Sequence, residues 1–390
     1  MSLGLLLAEF LSNAGTGAGF SVLGLALASE GEAWALAALA SLGYLVQPLG
    51  LFTGLIIDRA NPRTLIVLGK LAEGGVWLGL MLLSPASWMG LFLAFFAVLG
   101  HDLAYDALSA GLTRRFREDL LAQTGRFQNA WLLGNLAGTL VGPALYLSAG
   151  KAVLSLASVL LLTGALAFAR WRALDDAGPE RAPRAFLPGE LFEGFRWVME
   201  GRTLRTLVVY TLLVVFAFSL GRALDPMIGL ALGVPPELLG FYLGAATIGS
   251  VAGNLAGPGI GTARSVWLGF GLALMGTLML ILTRHPWAML AALVRVGGFT
   301  LGLLGLRVLR QWHLPDALVG RATAAMNLAS GIAGVLGAAL AGALGGQDPL
   351  RTLYASSGLL AVVLVGLAFH FPAPRLRELE ARLREGGSLR

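Results

Sequence analysis

The sequence contains no cysteine, and only 13% of its 390 residues are charged. The absence of cysteine excludes disulfides, a thiol nucleophile and any cysteine-based metal site. A soluble domain of average composition carries about 25% charged residues, so the low charge argues against one. The chain is instead rich in apolar residues: 56% of its residues are hydrophobic, and its mean hydropathy is +0.76. These values indicate a multi-spanning membrane protein.

Apolar runs extend over the whole chain. Each bilayer crossing needs about 20 mostly apolar residues, and runs bounded by charged residues, Pro, Gly or Ser delimit twelve segments of that size. Lipid offers no partners to the backbone, so we expect every segment to be a helix. The predicted spans are residues 3–28, 34–57, 65–83, 88–112, 128–148, 152–169, 206–228, 238–258, 265–283, 287–309, 318–344 and 350–370.

Basic residues are distributed unevenly between the two sets of connections. With the N-terminus inside, 22 of the 28 fall in one set, three in the opposite set and three within spans. Cytoplasmic connections carry the excess of Lys and Arg, which predicts cytoplasmic N- and C-termini. This placement explains the net charge of +6 without a nucleic-acid partner. The composition, rich in Arg, Ala, Leu and Gly, favours a GC-rich bacterial source, and we expect a multi-pass protein of the bacterial cytoplasmic membrane.

The longest connection, residues 171–205, separates two halves of six spans. Its first part is rich in Pro and charge and predicts a flexible linker. Its second part, ELFEGFRWVMEGRTLRTL, has apolar residues at helical spacing, which predicts a helix on the cytoplasmic membrane surface. We therefore expect six-helix bundles over 1–170 and 206–370, followed by a cytoplasmic tail over 371–390 that forms another short amphipathic helix.

An internal repeat relates the two halves. A shift of 195 residues aligns GRFQNAWLLGNLAGTLVGPAL, which begins at Gly125, with GRATAAMNLASGIAGVLGAAL, which begins at Gly320. Small residues in such helices also match by chance, but the shared Gly-Arg at a cytoplasmic span end and the half-length shift disfavour chance. A parallel repeat of two six-helix halves is a transporter architecture with its site near mid-membrane.

A short motif between the second and third spans is more specific. The stretch Gly54-Leu-Ile-Ile-Asp58-Arg59-Ala-Asn-Pro-Arg63 resembles the G-x-x-x-D-R-x-x-x-R signature of the major facilitator superfamily, at its expected cytoplasmic position. Glycine permits close helix approach, and the aspartate can accept from helix N-termini or arginines at the membrane boundary. A solvated turn with an N-cap aspartate is the alternative. The resemblance implies the all-α fold of this family, twelve helices in two six-helix pseudo-repeats, and a conformational latch at these four residues.

Two further stretches resemble exporters of that family. The fifth span carries Gly134, Gly138, Gly142 and Pro143, similar to the G-x-x-x-G-P motif of proton-coupled drug exporters. The segment EGFRWVMEGRTLRTL resembles the mid-chain segment of bacterial exporters of the siderophore-export type. Both resemblances imply proton-coupled export. Glycines four residues apart equally suit plain helix packing, so that alternative stays open for the fifth span.

Ionisable residues inside the spans require an explanation, because a charge at the bilayer centre costs at least about 2.5–3.5 kcal/mol. The resemblance implies that the first, fourth, seventh and tenth helices line a central cavity, and the charges gather on these helices. The proton-coupling candidates are Glu9, His101, Asp102 and Asp106. The substrate-cavity candidates are Asn13, Tyr105, Trp131, Asn135, Arg222, Asp225, Arg295 and Asn327.

The fourth-span stretch from His101 to Asp106 is the most specific of these features. Burial disfavours the charged form of a carboxylate, and histidine titrates near neutral pH, so Asp102 or Asp106, together with Glu9, is predicted to bind and release the coupling proton. In one alternative His101 and Asp102 form a buried structural pair. In another the cluster contributes to a metal site, but no second cluster of His and carboxylates is evident. We expect no metal and no cofactor.

Three other charged positions leave alternatives open. Arg222 and the residue three positions on, Asp225, either take part in the cavity or form a local pair at the outer interface. Arg295 either pairs with a carboxylate or receives an anionic substrate group. Lys70 and Glu73, also three residues apart, are predicted to form a structural pair or to contact the signature loop.

Together these features predict a secondary active transporter and not an enzyme, since HExxH and GxSxG motifs are absent. The leading hypothesis is proton-coupled export of a small amphipathic molecule by alternating access. The alternatives are uptake of a nutrient or anionic solute, bound by Arg222 and Arg295, and a lipid flippase or scramblase of the same architecture. The expected partners are a small-molecule substrate, the proton and the bilayer, and we expect a monomer.

Overall fold

The computed structural model describes residues 3–49, 56, 60–84, 86–115, 120–171, 196–313, 319–372, 376 and 378. Within these ranges the chain forms twelve long helices. They are α1 Leu3–Ser29, α2 Ala33–Val46, α3 Pro62–Leu82, α4 Trp88–Arg115, α5 Leu120–Ala149, α6 Val153–Arg170, α7 Arg202–Arg222, α8 Leu239–Ile260, α9 Thr262–Leu282, α10 Trp287–Trp312, α11 Val319–Gly345 and α12 Leu350–His370.

All the helices except α2 have the length and composition of membrane spans. Ten apolar segments of the described chain are long enough to cross a membrane, and one of them, Arg126–Arg170, covers α6 and most of α5. A shorter apolar segment, Ala33–Leu49, contains α2 and the turn after it. The predicted all-helical fold of twelve helices is confirmed.

Local sequence explains two of the helix ends. α3 begins where the Asn61 side chain accepts a hydrogen bond from the Arg63 N–H at 2.8 Å, with Pro62 in the first helical position. The seventh predicted span, 206–228, is wrong at its end, because α7 stops at Arg222 and a short helix, Asp225–Ala231, follows. Pro226 has no N–H to continue the α7 ladder, but it suits the first turn of a new helix.

The chain divides into two compact units. The first, Met1–Phe186 with Pro235–Phe241, contains α1 to α6. In it α1 packs along α5 and α6, and α3 packs along α4 and α6. Apolar side chains from these helices form its core, including Leu5, Ile66 and Phe168.

The second unit, Leu187–Val234 with Tyr242–Arg390, repeats this internal arrangement. Here α7 packs along α11 and α12, and α9 packs along α10 and α12. The first, third, fourth, fifth and sixth helices of each unit therefore make the same pairings within their unit. This agreement supports the internal repeat that the sequence predicts.

Several predicted segments lie partly or wholly outside the described residues. Of the four residues of the predicted latch only Arg63 is described; Gly54, Asp58 and Arg59 lie outside the described residues. Of the predicted surface helix, residues 196–200 are helical, and Val198 packs with Leu204 of α7 and Met326 of α11. Most of the linker and of the C-terminal tail also lies outside.

Candidate functional site

Two glycines bring α3 and α4 of the first unit into backbone contact. A Cβ at Gly69 would meet the carbonyl oxygen of Gly100, and a Cβ at Gly100 would lie 2.8 Å from that of Gly69. His101 directly follows the crossing on α4, and Glu73 lies one turn beyond it on α3. The close approach thus places two ionisable side chains of different helices against each other.

Lys70 of α3 bonds to α1. Its Nζ lies 3.1 Å from Oε2 of Glu9 and donates to Oγ of Ser12 at 2.6 Å. The other carboxylate oxygen of Glu9, Oε1, accepts from Nδ2 of Asn13 at 2.8 Å. Lys70 and Glu9 are 6% and 3% exposed, so this is a buried ion pair whose remaining hydrogen-bonding positions are largely filled. The Lys70 ammonium also lies 5.1 Å from the centroid of the Phe168 ring.

Glu73 joins α3 to α1 and α4. Its Oε1 accepts from Oγ1 of Thr16 at 2.6 Å, and its Oε2 lies 3.5 Å from Nδ1 of His101. The carboxylate is 1% exposed, and the side chain of His101 is 20% exposed. Glu9, Lys70, Glu73 and His101 together form what we term the unit-1 cluster.

The unit-1 cluster corrects two of the sequence-based interpretations. Of the two alternatives for Lys70 and Glu73, the local pair is replaced by bonds from each residue to other helices, and contact with the signature loop falls mostly outside the described residues. His101 pairs with Glu73 of α3 and not with its neighbour Asp102. A periodic pattern places residues on a helix face, but the glycine crossing that joins α3 to α4 decides which faces meet.

Asp102 and Asp106 lie beside the cluster. Asp102 is half-buried and Asp106 is exposed, and the described contacts include no hydrogen bond or ion pair to either carboxylate. On the same helix Tyr105 is exposed, with its ring 6.0 Å from that of Trp131 on α5. Two buried atoms, Nε1 of Trp131 and Oδ1 of Asn13, have no hydrogen-bond partner among the described residues. A bound molecule could use them.

A second buried cluster lies in the second unit. Nη2 of Arg295 on α10 lies 2.5 Å from Oδ1 of Asp225, and its Nη1 donates to the Gly221 carbonyl at 2.8 Å. Nε of Arg222 lies 3.7 Å from the other oxygen of Asp225. Asp225 thus contacts two arginines: Arg222, as in the predicted local pair, and Arg295, which was predicted to pair with a carboxylate or to bind an anionic substrate group. We term Arg222, Asp225 and Arg295 the unit-2 cluster.

The glycines of the fifth span contact α1. A Cβ at Gly134 would meet the Phe10 carbonyl oxygen, and a Cβ at Gly138 would meet Ala14 and Ala18. A Cβ at Gly142 would lie 2.6 Å from Oγ of Ser21, and the buried Pro143 follows inside the same helix. These positions form a helix-packing stripe. They keep α1, which carries Glu9 and Asn13, in register with α5.

Two predicted cavity residues remain, Asn135 in the first unit and Asn327 in the second. Asn135 of α5 is half-buried, and its carbonyl oxygen faces Gly17 of α1. Asn327 is exposed on α11. Among the residues that the structure describes, no group of three or more His, Asp and Glu side chains is arranged to hold a metal ion.

Three residues in or near the clusters were not among the predicted site residues. For Lys70 and Glu73, which share one face of α3, the sequence predicted a structural pair or a contact with the signature loop. Tyr242 of α8 is fully buried, and its hydroxyl has no hydrogen-bond partner among the described residues. Its sequence context, a tyrosine in an apolar run, gives no signal of this environment.

A model of the Major Facilitator Superfamily matches residues 3–338 of the chain. A search of curated proteins finds no match.

Solved transporters share the fold. The nucleoside transporter NupG, in a mutant form, superposes with a TM-score of 0.80 at 12% identity, over 95% of this chain and 99% of that one. A peptide transporter, POT, in complex with alafosfalin gives 0.74 at 17% identity, over 97% and 95%. A bacterial homolog of the human lysosomal transporter Spinster gives 0.64 at 15% identity, over 98% and 96%. At these identities the likeness shows the fold alone.

Proposed function

Because the chain belongs to the Major Facilitator Superfamily and is a membrane transporter of that type, we propose that it couples the export of a small amphipathic molecule to proton entry. The observation that carries this proposal is the unit-1 cluster. Glu9, Lys70 and Glu73 are buried and His101 is half-buried. These ionisable groups come from three helices, and their charges do not balance.

The charge balance of the cluster calls for one exchangeable proton. Glu9 and Glu73 contribute two negative charges and Lys70 contributes one positive charge, so with a neutral His101 the cluster carries a net charge of −1. An uncompensated buried charge is costly. One added proton, shared by Glu73 and His101, makes the cluster neutral. Since Lys70 is fixed to Glu9 and Ser12, the Glu73–His101 pair is the place for that proton.

Among the residues that the structure describes, few other charges lie near this pair. On α4 the neighbouring carboxylates are Asp102, which is half-buried as His101 is, and Asp106, which is exposed. α6, which packs on α1 and α3, carries its only charge at its last residue, Arg170. We propose that Asp106 and then Asp102 deliver the proton to His101.

Proton release can act on the rest of the unit through its hydrogen bonds. An ionised Glu73 binds Thr16 of α1 and a protonated His101 of α4, and these bonds change strength when the proton leaves. The protonation state then biases the equilibrium between the conformations of these helices. Coupling of proton movement to substrate transport requires such a bias.

The direction and driving ion are tested in everted membrane vesicles with an acid interior and a pH-sensitive dye. A panel of a nucleoside, a dipeptide and an amphipathic cation is added in turn. Export by proton exchange predicts that one solute makes the interior more alkaline and that Asp102→Asn or Asp106→Asn reduces the response. Acidification would contradict export. No response to any solute, with lipid translocation in liposomes, would instead favour a flippase or scramblase.

A further inference from the structure

The unit-2 cluster has one more positive charge than negative. Asp225, which is 4% exposed, is the one described carboxylate that contacts Arg222 and Arg295. Arg295 is 3% exposed, and its contact with Asp225 is shorter than that of Arg222. Two guanidinium groups that share one carboxylate repel each other, so an added anion would be attracted to them.

Arg222 has unused hydrogen-bonding capacity. Its side chain is 47% exposed, and its described polar contact is the 3.7 Å approach to Asp225, which is longer than a hydrogen bond. A guanidinium has five N–H donors in a planar fork. Most of this fork is therefore free for a planar, doubly accepting group such as a carboxylate or phosphate.

The fork is also held in place by aromatic contacts. The guanidinium carbon of Arg222 lies 5.4 Å from the centroid of the Phe218 ring. Phe218 in turn stacks on Phe299 of α10, with centroids 3.4 Å apart and planes 7° apart. An arginine fixed over a ring loses less entropy when a ligand binds, which favours binding by a single side chain.

Two buried polar atoms of the same unit have no described partner. They are Nε of Arg295 and the hydroxyl of Tyr242, whose surroundings include Asp225 and both arginines. Buried donors without acceptors are rare in native proteins. They indicate that the described side chains alone do not satisfy this cluster.

We propose that Arg222, supported by Asp225, Arg295 and Phe218, binds an anionic group of the transported molecule, either a carboxylate or a phosphate. This inference rests on the proposed transport function and narrows its substrate class. In a purely structural arrangement Arg222 would only cap the C-terminal end of α7, where a positive charge is also favourable. That arrangement predicts no response to soluble anions.

The test is a thermal-shift titration of the full chain purified in detergent without added lipid. The probes are acetate and inorganic phosphate, with acetamide as the neutral counterpart of acetate and chloride keeping the ionic strength constant. We expect acetate or phosphate to raise the unfolding temperature and acetamide to leave it unchanged. Arg222→Gln should weaken the apparent affinity about tenfold or more, because a charge-assisted bidentate contact is lost.

Matched variants separate this site from general charge effects. Arg284→Gln removes an exposed arginine whose described contact is with the Thr283 carbonyl, and it should keep the full response. Arg222→Lys keeps the charge without the fork and should give an intermediate affinity. An equal response in Arg222→Gln and the unaltered chain would overturn the proposal. So would stabilisation by acetamide, or stabilisation that requires anionic lipid in nanodiscs. The assay uses no proton gradient, so failure here leaves the coupling test independent.

Discussion

At the scale of single residues, the protein buries charges that a membrane helix ordinarily avoids. Glu9, Lys70, Glu73, Asp225 and Arg295 are each no more than 6% exposed. Each has a partner on a different helix or helical segment, at the distances of ion pairs or hydrogen bonds. Breaking such a buried pair leaves an uncompensated charge, which costs more than the pair itself contributes.

The two lysines of the chain provide a matched test of this cost. Lys70→Met leaves Glu9 buried without its counter-ion and should lower the free energy of unfolding by about 3–5 kcal/mol. Lys151→Met removes a half-buried donor to the Leu83 carbonyl and should cost about 1–2 kcal/mol. Thermal unfolding in detergent measures both. Adding Glu9→Gln to Lys70→Met should restore part of the loss, and equal losses in the two lysine variants would disprove the buried-pair account.

Residue identity could be predicted from sequence more readily than residue partnership. The cost of burying charge made Glu9, His101, Asp225 and Arg295 candidates without a structure. The sequence could not predict that His101 contacts Glu73 or that Asp225 contacts both arginines. These contacts depend on how closely α3 approaches α4 and how closely α7 approaches α10.

At the scale of helices, glycine determines those approaches. Gly134, Gly138 and Gly142 recur every four residues along one face of α5 and fit the backbone of α1. The sequence showed this spacing and predicted a packing stripe as one of two interpretations. It could not identify α1 as the neighbouring helix, because small residues permit a close approach but do not determine which helix approaches.

Two glycines inside helices, one in close contact with a neighbouring helix and one facing open space, test the close packing of α5 against α1. Gly138→Ala places a methyl group against the backbone of Ala14 and Ala18 and should destabilise the protein by about 1–3 kcal/mol through overpacking. Gly75→Ala, where a Cβ meets nothing within 4 Å, should be neutral or stabilise by up to about 1 kcal/mol. The unfolding temperatures of the two variants measure the difference. A Gly138→Ala protein as stable as Gly75→Ala would contradict close α1–α5 contact.

At the scale of the whole molecule, hydropathy and charge predicted the twelve helices well. Their number is confirmed, and the same internal pairings recur in both units. The end of α7 was misplaced because an apolar run continues past Pro226, where the backbone starts a new helix. Membrane orientation rests on the distribution of basic residues alone and stays a prediction.

The absence of native cysteine makes that orientation directly testable. Ser84→Cys lies between α3 and α4, a connection predicted to be outside, and Gly201→Cys lies before α7, on the predicted cytoplasmic side. A membrane-impermeant maleimide should label Ser84→Cys in intact cells and label Gly201→Cys only after permeabilisation. The unaltered chain, which has no thiol, is the control. The reverse labelling pattern would invert the topology.

The most direct test of the central claim compares proton movement with substrate exchange in Glu73→Gln proteoliposomes. Glutamine keeps an oxygen that can accept from Thr16 but cannot take part in proton exchange at neutral pH. With the first solute that moves protons in the vesicle assay, we expect Glu73→Gln to retain exchange of labelled solute across the membrane and to lose solute-driven proton movement. Glu237→Gln, which alters an exposed carboxylate, should retain both. Solute-driven proton movement in Glu73→Gln at the rate of the unaltered protein would contradict the assignment of the coupling proton to the Glu73–His101 pair.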